Sequence, residues 1–146
     1  MVREKSRLSA VLPLFKYSAA AVAVGRVGLG VAALVSPAVP ARPWVGASAD
    51  ELGAQVFGRA LGARDLALGL GALNAARETS SGSRSAGAWY AAGALSDALD
   101  VAVTVAAWPR LPRATRWLVA ASAGGAALAG AAGALAALRE RSQTTS

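Results

Sequence analysis

Four long apolar stretches, separated by short polar or proline-rich segments, dominate the 146-residue chain. They cover residues 17–35, 56–74, 88–108 and 117–138. A bilayer core of about 30 Å needs about 20 mostly apolar residues in a helix, so each stretch is long enough to cross a membrane. The pattern predicts an all-α fold, an integral membrane bundle of four transmembrane helices over residues 13–36, 49–76, 86–108 and 112–139.

The segments between the stretches predict where helices begin and end. Three prolines after the first stretch predict an extended connector there: Pro37, Pro40 and Pro43. Ser48 and Glu51 have the spacing of a capping box, which places the start of the second helix near residue 49. A polar loop is expected over residues 77–85. Pro109 is expected to end the third helix, and Pro112 suits the first turn of the fourth.

The composition favours lipid over water. Hydrophobic residues make up 55% of the chain and charged residues only 16%, and there are 39 alanines and 16 glycines. A core of such small side chains buries little apolar area, which disfavours the alternative of a soluble helical bundle. In a membrane, small residues let helix backbones approach closely. The second stretch holds three charges, so it could instead lie at the interface or re-enter the membrane.

The net charge of +7 is interpreted as a topology signal. Eight Lys and Arg residues fall on the side of the N-terminus and four on the other, which predicts that both termini are cytoplasmic. This divides the chain into a basic cytoplasmic arm (1–16), a transmembrane domain (17–138) and a polar tail (140–146), in a multi-pass protein of the cell membrane. A cleaved signal peptide is the alternative for the first stretch, but that stretch is long and contains Arg26, so a retained helix is expected. The basic residues are dispersed over the loops, which favours contact with membrane lipid and disfavours nucleic acid.

Several kinds of chemistry are excluded by missing residues. There is no Cys and no His, so there are no disulfides, no thiolate nucleophile and no zinc site built on imidazole or thiolate. Gly25, Gly28 and Gly30 do not form a P-loop or a dinucleotide fingerprint. We therefore expect no cofactor and no enzymatic activity, although a pair of carboxylates leaves an intramembrane enzyme as a minor alternative.

Charged residues within the apolar stretches are the most informative feature. Three are basic and three acidic: Arg26, Arg59, Arg64, Asp65, Asp97 and Asp100. Each unpaired charge at the centre of a bilayer costs about 2.5–3.5 kcal/mol on insertion scales. The six charges cancel, and we expect them to form one paired network between the first three helices.

Helical spacing predicts which of these side chains share a face. In the third helix, Tyr90, Asp97, Asp100 and Thr104 fall on one narrow stripe. In the second helix, Arg59 and Asp65 share a face with glycines, whereas Arg64 points away from it. Asp97 and Asp100 are like charges one turn apart, so one of them holds a proton unless a cation lies between them. The guanidinium of Arg26 is the first candidate to bridge them, with those of Arg59 and Arg64 as the others.

Two functions are compatible with this cluster. It could bind a proton, a small polar ligand or a lipid headgroup at mid-membrane depth, with Tyr90 and Thr104 lining the site. Alternatively, it could only fix helix packing in a structural or accessory subunit of a membrane complex. In the fourth helix, Gly125, Ala129 and Gly133 are spaced for close packing, either within the bundle or in a homo-oligomer.

One string of residues carries a resemblance. The pattern R-x-x-G-x-R-D-x-x-x-G from Arg59 to Gly69, preceded by Arg26 and followed by Asp97 and Asp100, resembles a family of small bacterial and fungal membrane proteins that is catalogued as a domain of unknown function. The resemblance implies four transmembrane helices and no settled activity. A lesser resemblance, through the first helix, is to the DoxX-like membrane proteins. The strong bias towards Arg over Lys is typical of a GC-rich bacterial genome.

Overall fold

The part of the chain that the structure describes is almost entirely helical. A computed structural model describes the backbone of residues 2–77 and 82–144 and the side chains of residues 17–77 and 85–138. The all-α prediction is confirmed. The helices are α1 (Val2–Val35), α2 (Ala38–Val45), α3 (Leu52–Arg77), α4 (Gly82–Ala106) and α5 (Arg116–Thr144), with 3-10 turns at Gly46–Asp50 and Trp108–Arg110.

The four long helices pack as two pairs. The most extensive contacts join α1 to α3 and α4 to α5. Smaller contacts between α3 and α4, and between α1 and α5, join the two pairs into one bundle. The short helix α2 contacts α1, α3 and α5. Its exposed Arg42 Nη2 donates to Asp50 Oδ1 at 2.9 Å, and this hydrogen bond raises the pKa of Arg42.

Helices α1 and α3 approach to backbone contact at glycines. A Cβ atom added to Gly30 would lie 2.7 Å from the backbone oxygen of Gly62. One added to Gly69 would lie 2.7 Å from the backbone oxygen of Ala23. The α1–α3 interface therefore depends on the small residues that the composition supplies.

The core consists of small residues, whereas large apolar side chains lie outside. Five alanines and Tyr90 form the buried cluster. Exposed side chains occur on every long helix, among them Leu29, Phe57, Leu99 and Leu128. Two helices have the length and apolar composition of a membrane span within the described residues, at Tyr17–Val35 and Arg116–Leu138.

The extended connector predicted from the prolines is wrong, because this segment forms α2. Pro37 is the N-cap residue and Pro40 lies in the first turn, where a helix needs no N–H donor. Only Pro43 lies in the interior of the helix. Prolines near a helix start therefore cost no hydrogen bond, and the sequence pattern did not distinguish this case from an extended segment.

The predicted capping box is also absent. Ser48 lies within the 3-10 turn, and α3 begins at Leu52 rather than near residue 49. The N-cap position belongs to Glu51, whose backbone oxygen accepts from Gln55 N at 3.0 Å. Gln55 Nε2 donates to the backbone oxygen of Asp50 at 3.0 Å, which ties the first turn of α3 to the preceding 3-10 turn.

Helix α1 begins at Val2, eleven residues before the predicted start at residue 13, and the other predicted bounds of the long helices differ by up to five residues. Helix α3 includes Arg77 and α4 begins at Gly82, so the predicted loop over residues 77–85 is shorter, and residues 78–81 lie outside the described part. Helix α5 begins at Arg116, whose N–H donates to the backbone oxygen of Pro112 at 3.1 Å. Pro112 thus lies in the turn before the helix. The backbone of the predicted polar tail is helical as far as Thr144, and the basic side chains of the N-terminal arm lie outside the described residues.

Candidate functional site

Five of the six charged residues within the apolar stretches meet between three helices. Arg26 comes from α1, the adjacent Arg64 and Asp65 from α3, and Asp97 and Asp100 from successive turns of α4. We call these five residues the charge cluster. The cluster lies where the α1–α3 pair faces the α4–α5 pair.

Arg26 lies at the centre of the cluster and is only 8% exposed. Its Nη1 donates to Asp65 Oδ1 at 2.6 Å, and its Nη2 donates to the backbone oxygen of Gly93 at 2.8 Å. Nη2 also lies 2.6 Å from Asp97 Oδ2, in an ion pair without the angles of a hydrogen bond. One buried guanidinium therefore joins α1 to both α3 and α4.

Gly93 of α4 packs directly against this guanidinium. A Cβ atom at position 93 would lie 3.4 Å from Arg26 Nη2 and 3.6 Å from its Cζ, which is ordinary van der Waals contact. The contact that Gly93 supplies is therefore its backbone carbonyl oxygen, which accepts from Nη2. Helical spacing concerns side chains and gave no indication of this backbone partner.

Arg64 makes the second set of ion pairs, and its side chain is 32% exposed. Nη1 and Nη2 donate to the two carboxylate oxygens of Asp100, at 3.1 Å and 2.8 Å, in a bidentate pair. Nη2 also contacts Asp65 Oδ1 at 3.3 Å. Asp100 belongs to α4, so Arg64, which points away from the face of Arg59, pairs with a carboxylate on another helix.

These contacts form an open chain of alternating charges. Asp97 contacts Arg26, Arg26 contacts Asp65, Asp65 contacts Arg64, and Arg64 contacts Asp100. The expected bridge from Arg26 to both aspartates of α4 is wrong, since its second carboxylate is Asp65 of α3. Both ends of the chain are carboxylates on neighbouring turns of α4, and within the described residues no arginine joins them to each other.

Arg59 does not belong to the cluster. Its side chain is exposed, and it forms no ion pair within the described residues. Its neighbours on the α3 surface, Val56 and Phe57, are exposed as well. The predicted balance of three arginines against three aspartates is therefore wrong for the cluster itself. Two arginines face three aspartates, which leaves a net charge of −1 when all the carboxyl groups are ionised.

Thr104 and Tyr90 both lie close to the cluster, in different surroundings. Thr104 is 1% exposed, and its hydroxyl donates to the backbone oxygen of Asp100 at 2.6 Å. The same hydroxyl accepts from Trp44 Nε1 at 3.1 Å, which ties α2 to α4. Tyr90 is buried and lines a small cavity of about 10 Å³ beside Arg26 and Asp97.

A much larger cavity, of about 610 Å³, contacts all five residues of the charge cluster and Thr104. Ligand pockets are commonly about 300–1,000 Å³. The rest of its wall is mainly apolar and comes from α1, α2, α3 and α5, with Leu29, Pro43, Leu61, Leu118 and Val119 among the lining residues. The cavity thus combines one charged wall with an apolar body.

The site is poorly suited to a metal ion. Within the described residues, no group of three acidic side chains is placed to hold one. The three aspartates of the cluster are separated by the two arginines that they bind. The arrangement can instead hold a small molecule by one polar contact at the charged wall and by apolar contacts elsewhere.

Sequence reasoning missed the contribution of α2 to this site. Trp44 and three prolines of the connector line the cavity: Pro37, Pro40 and Pro43. Trp44 stands shortly before the predicted start of the second helix, and this position by itself indicates only a residue at the membrane surface. No local pattern indicated that the connector folds back over the bundle.

Comparison with known proteins adds no relative to this picture. No family model, no curated protein and no solved structure matches the chain.

Proposed function

We propose that the chain is an integral membrane protein whose four long helices cross the bilayer. The distribution of side chains supports this, because alanine and glycine fill the interior while leucine, valine and phenylalanine cover the outside. A soluble protein rarely exposes such large apolar surfaces. Lipid, by contrast, solvates large apolar side chains, and helices within it associate through small ones.

The cluster charges of α3 and α4 are compatible with this arrangement because they are paired, whereas Arg59 of α3 is exposed and forms no ion pair within the described residues. An unpaired charge at the bilayer centre costs about 2.5–3.5 kcal/mol on insertion scales. Each charged side chain of the cluster contacts at least one opposite charge within 4 Å. Pairing therefore lowers the cost of placing α3 and α4 in the membrane, although neither helix is as apolar as α1 or α5.

The proposed topology places both termini in the cytoplasm and the turn before α3 outside. The chain has no cysteine, so a single introduced thiol reports on one position. We expect a membrane-impermeant maleimide to label Ser48→Cys in intact cells and Ser142→Cys only after permeabilisation. Labelling of both variants, or of neither, in intact cells would contradict the proposed topology.

We further propose that the protein binds a small, partly apolar ligand in the large cavity. The observation that carries this proposal is that one cavity of about 610 Å³ touches all five residues of the charge cluster. A network that only fixed helix packing would need no such space beside it. Binding rather than catalysis is proposed, since no nucleophile, metal group or cofactor motif accompanies the carboxylates.

Quenching of tryptophan fluorescence tests this proposal, because Trp44 lines the cavity. The probes are 4-bromobenzyl alcohol and 4-bromobenzylamine, added to the protein in lipid nanodiscs. We expect at least one probe to quench saturably, with the saturable part lost in Trp44→Phe. Ala123→Leu narrows the cavity and should weaken binding, whereas Ala121→Leu, on an exposed position of the same helix, should not. Non-saturable quenching by both probes, or an unchanged affinity in Ala123→Leu, would refute the proposal.

A second candidate function is that of an accessory subunit in a membrane complex. It is favoured by Arg59, which is exposed on the outer face of α3 beside Phe57 and forms no ion pair within the described residues. A partner helix with an acidic residue would pair this charge. Co-purification of a membrane protein that is lost in Arg59→Gln would support it, and isolation of the chain alone from mild detergent would contradict it.

We propose membership in the four-helix membrane family that the chain resembles, on the basis of the motif from Arg59 to Gly69. Four of its five fixed positions carry roles in this fold. Arg64 and Asp65 belong to the charge cluster, and Gly62 and Gly69 lie at the contact with α1. Membership would imply that the site described above is shared by the family.

A further inference from the structure

We propose that the cavity binds an organic monocation, a protonated amine on an apolar body, whose charged group lies between Asp97 and Asp100. This inference rests on the proposed binding function and specifies its ligand. The starting observation is the open chain of alternating charges, which begins and ends with a carboxylate. One cation placed between its two ends would complete a ring of three positive and three negative groups.

The two ends are close enough for a single cation to contact both. Asp97 and Asp100 are three residues apart in α4, and helix positions with this spacing have Cβ atoms about 5–6 Å apart. Both residues line the large cavity, so a ligand in the cavity reaches both. Arg26 contacts Oδ2 of Asp97, and Arg64 donates to both oxygens of Asp100, but a carboxylate oxygen has two lone pairs and can accept from a second donor.

Charge balance favours a cation over an anion or a neutral group. Arg26, Asp65 and Asp97 are at most 8% exposed, so water screens their charges little. A buried net charge of −1 is costly unless it is compensated. An anion would add to the imbalance and a neutral ligand would leave it unchanged. A monocation removes it.

The nature of the wall favours an organic cation over a metal ion. No group of three acidic side chains within the described part is placed to hold a metal. An ammonium group needs fewer ligands and donates up to three hydrogen bonds, which two carboxylates can accept. The apolar residues around the remaining space, such as Leu29, Leu118 and Val119, suit an aliphatic or aromatic body. The cavity is larger than a bare ion requires.

The experiment compares three probes of nearly equal shape and different charge. They are 4-bromobenzylamine, 4-bromobenzyl alcohol and 4-bromobenzoate, each titrated against the full-length protein in nanodiscs of zwitterionic lipid at neutral pH. The readout is the saturable quenching of Trp44. We expect the amine to bind at least tenfold more tightly than the alcohol, and the alcohol more tightly than the benzoate.

Variants of the cluster test whether the net charge of the cluster causes the tighter binding of the amine. Asp97→Asn and Asp100→Asn each make the cluster neutral, so we expect the amine-to-alcohol affinity ratio to fall at least fivefold. Arg59→Gln is the matched control, because it changes the charge of the chain outside the cluster and should keep the wild-type ratio. If either aspartate variant does not fold, the order of the affinities of the three probes for the wild-type protein still tests the proposal.

The outcomes separate this inference from the proposed function. Saturable binding of the alcohol as tight as that of the amine would overturn the inference and keep a binding cavity, and it would indicate that a carboxyl group of the cluster already holds a proton. An amine preference that Arg59→Gln abolishes and the aspartate variants keep would also overturn it. The absence of saturable binding for every probe would refute both proposals.

Discussion

Removing a positive charge from the cluster should destabilise the protein more than removing a negative charge. Arg26→Gln leaves one arginine with three aspartates, so the net charge of the cluster changes from −1 to −2. Asp97 then loses its one ion pair within the described residues, although it is only 7% exposed. Asp97→Asn acts in the opposite direction, because it leaves two arginines with two aspartates and a net charge of zero.

The contacts set the size of each effect. Arg26→Gln removes three contacts of 2.6–2.8 Å and leaves a buried carboxylate unpaired, and such changes cost about 3–5 kcal/mol. After Asp97→Asn, Arg26 keeps Asp65 and the carbonyl oxygen of Gly93. The change removes one charged contact, worth about 1.5–3 kcal/mol, but it also removes the uncompensated charge. We expect a net loss below about 2 kcal/mol.

Equilibrium unfolding in mixed detergent and SDS micelles, followed by circular dichroism, measures these differences. Arg59→Gln is the control and should be close to wild type. The decisive protein is the double variant Arg26→Gln/Asp97→Asn, which we expect to be more stable than Arg26→Gln alone because the unpaired carboxylate is gone. Equal losses for the two single variants, or a double variant with the sum of both losses, would refute the charge-imbalance argument.

Three further predictions concern packing. Gly30→Ala should destabilise the protein by about 1–3 kcal/mol, because the new methyl group would lie 2.7 Å from backbone atoms of α3, whereas Gly28→Ala meets no atom within 4 Å and should be neutral in the same unfolding assay. Gly133→Ala should be destabilising, because its new Cβ atom would lie 2.6 Å from the Cβ atom of Ala19, whereas Gly125→Ala meets open space and should not be. If both variants change only the oligomeric state in analytical ultracentrifugation, these glycines of α5 pack between copies rather than within the bundle. Thr104→Val removes the acceptor for Trp44 and should lower stability by about 0.5–1.5 kcal/mol, whereas Thr104→Ser keeps the hydroxyl and should lose less; a loss in Thr104→Ser without a loss in Thr104→Val would show that the methyl group, not the hydroxyl, matters.

Hydrophobic patterning was sufficient to predict the long helices. The apolar stretches 17–35, 56–74 and 117–138 lie within α1, α3 and α5, and all but the last two residues of 88–108 lie within α4. Length and apolar composition are local properties, so the sequence carries them directly. The sequence did not predict α2, because two of the three prolines, Pro37 and Pro40, stand at the start of the helix, where no N–H donor is needed, and this depends on where the helix begins.

The cluster was predicted only as far as single helices allow. Helical spacing placed Asp97, Asp100 and Thr104 together, and the structure keeps these three residues at one cavity. The inclusion of Arg59 was wrong, because a helical wheel shows which residues of one helix share a face and not which neighbour that face meets. Arg64 shares its stripe of α3 with Gly71, seven residues later, which packs against Trp89 of α4. Arg64 belongs to the cluster, and Arg59 does not, because the stripe of α3 that carries Arg64 faces α4.

The glycine contact between α1 and α3 also limits how the bundle can move. A shift of α1 along α3 by one residue would place Leu29 or Val31 where a single Cβ atom is already too close to the backbone of Gly62. The register of the two helices is therefore sterically fixed. We expect any change of cavity shape to arise at the seam with α4, which the ion pairs of Arg26 and Arg64 cross.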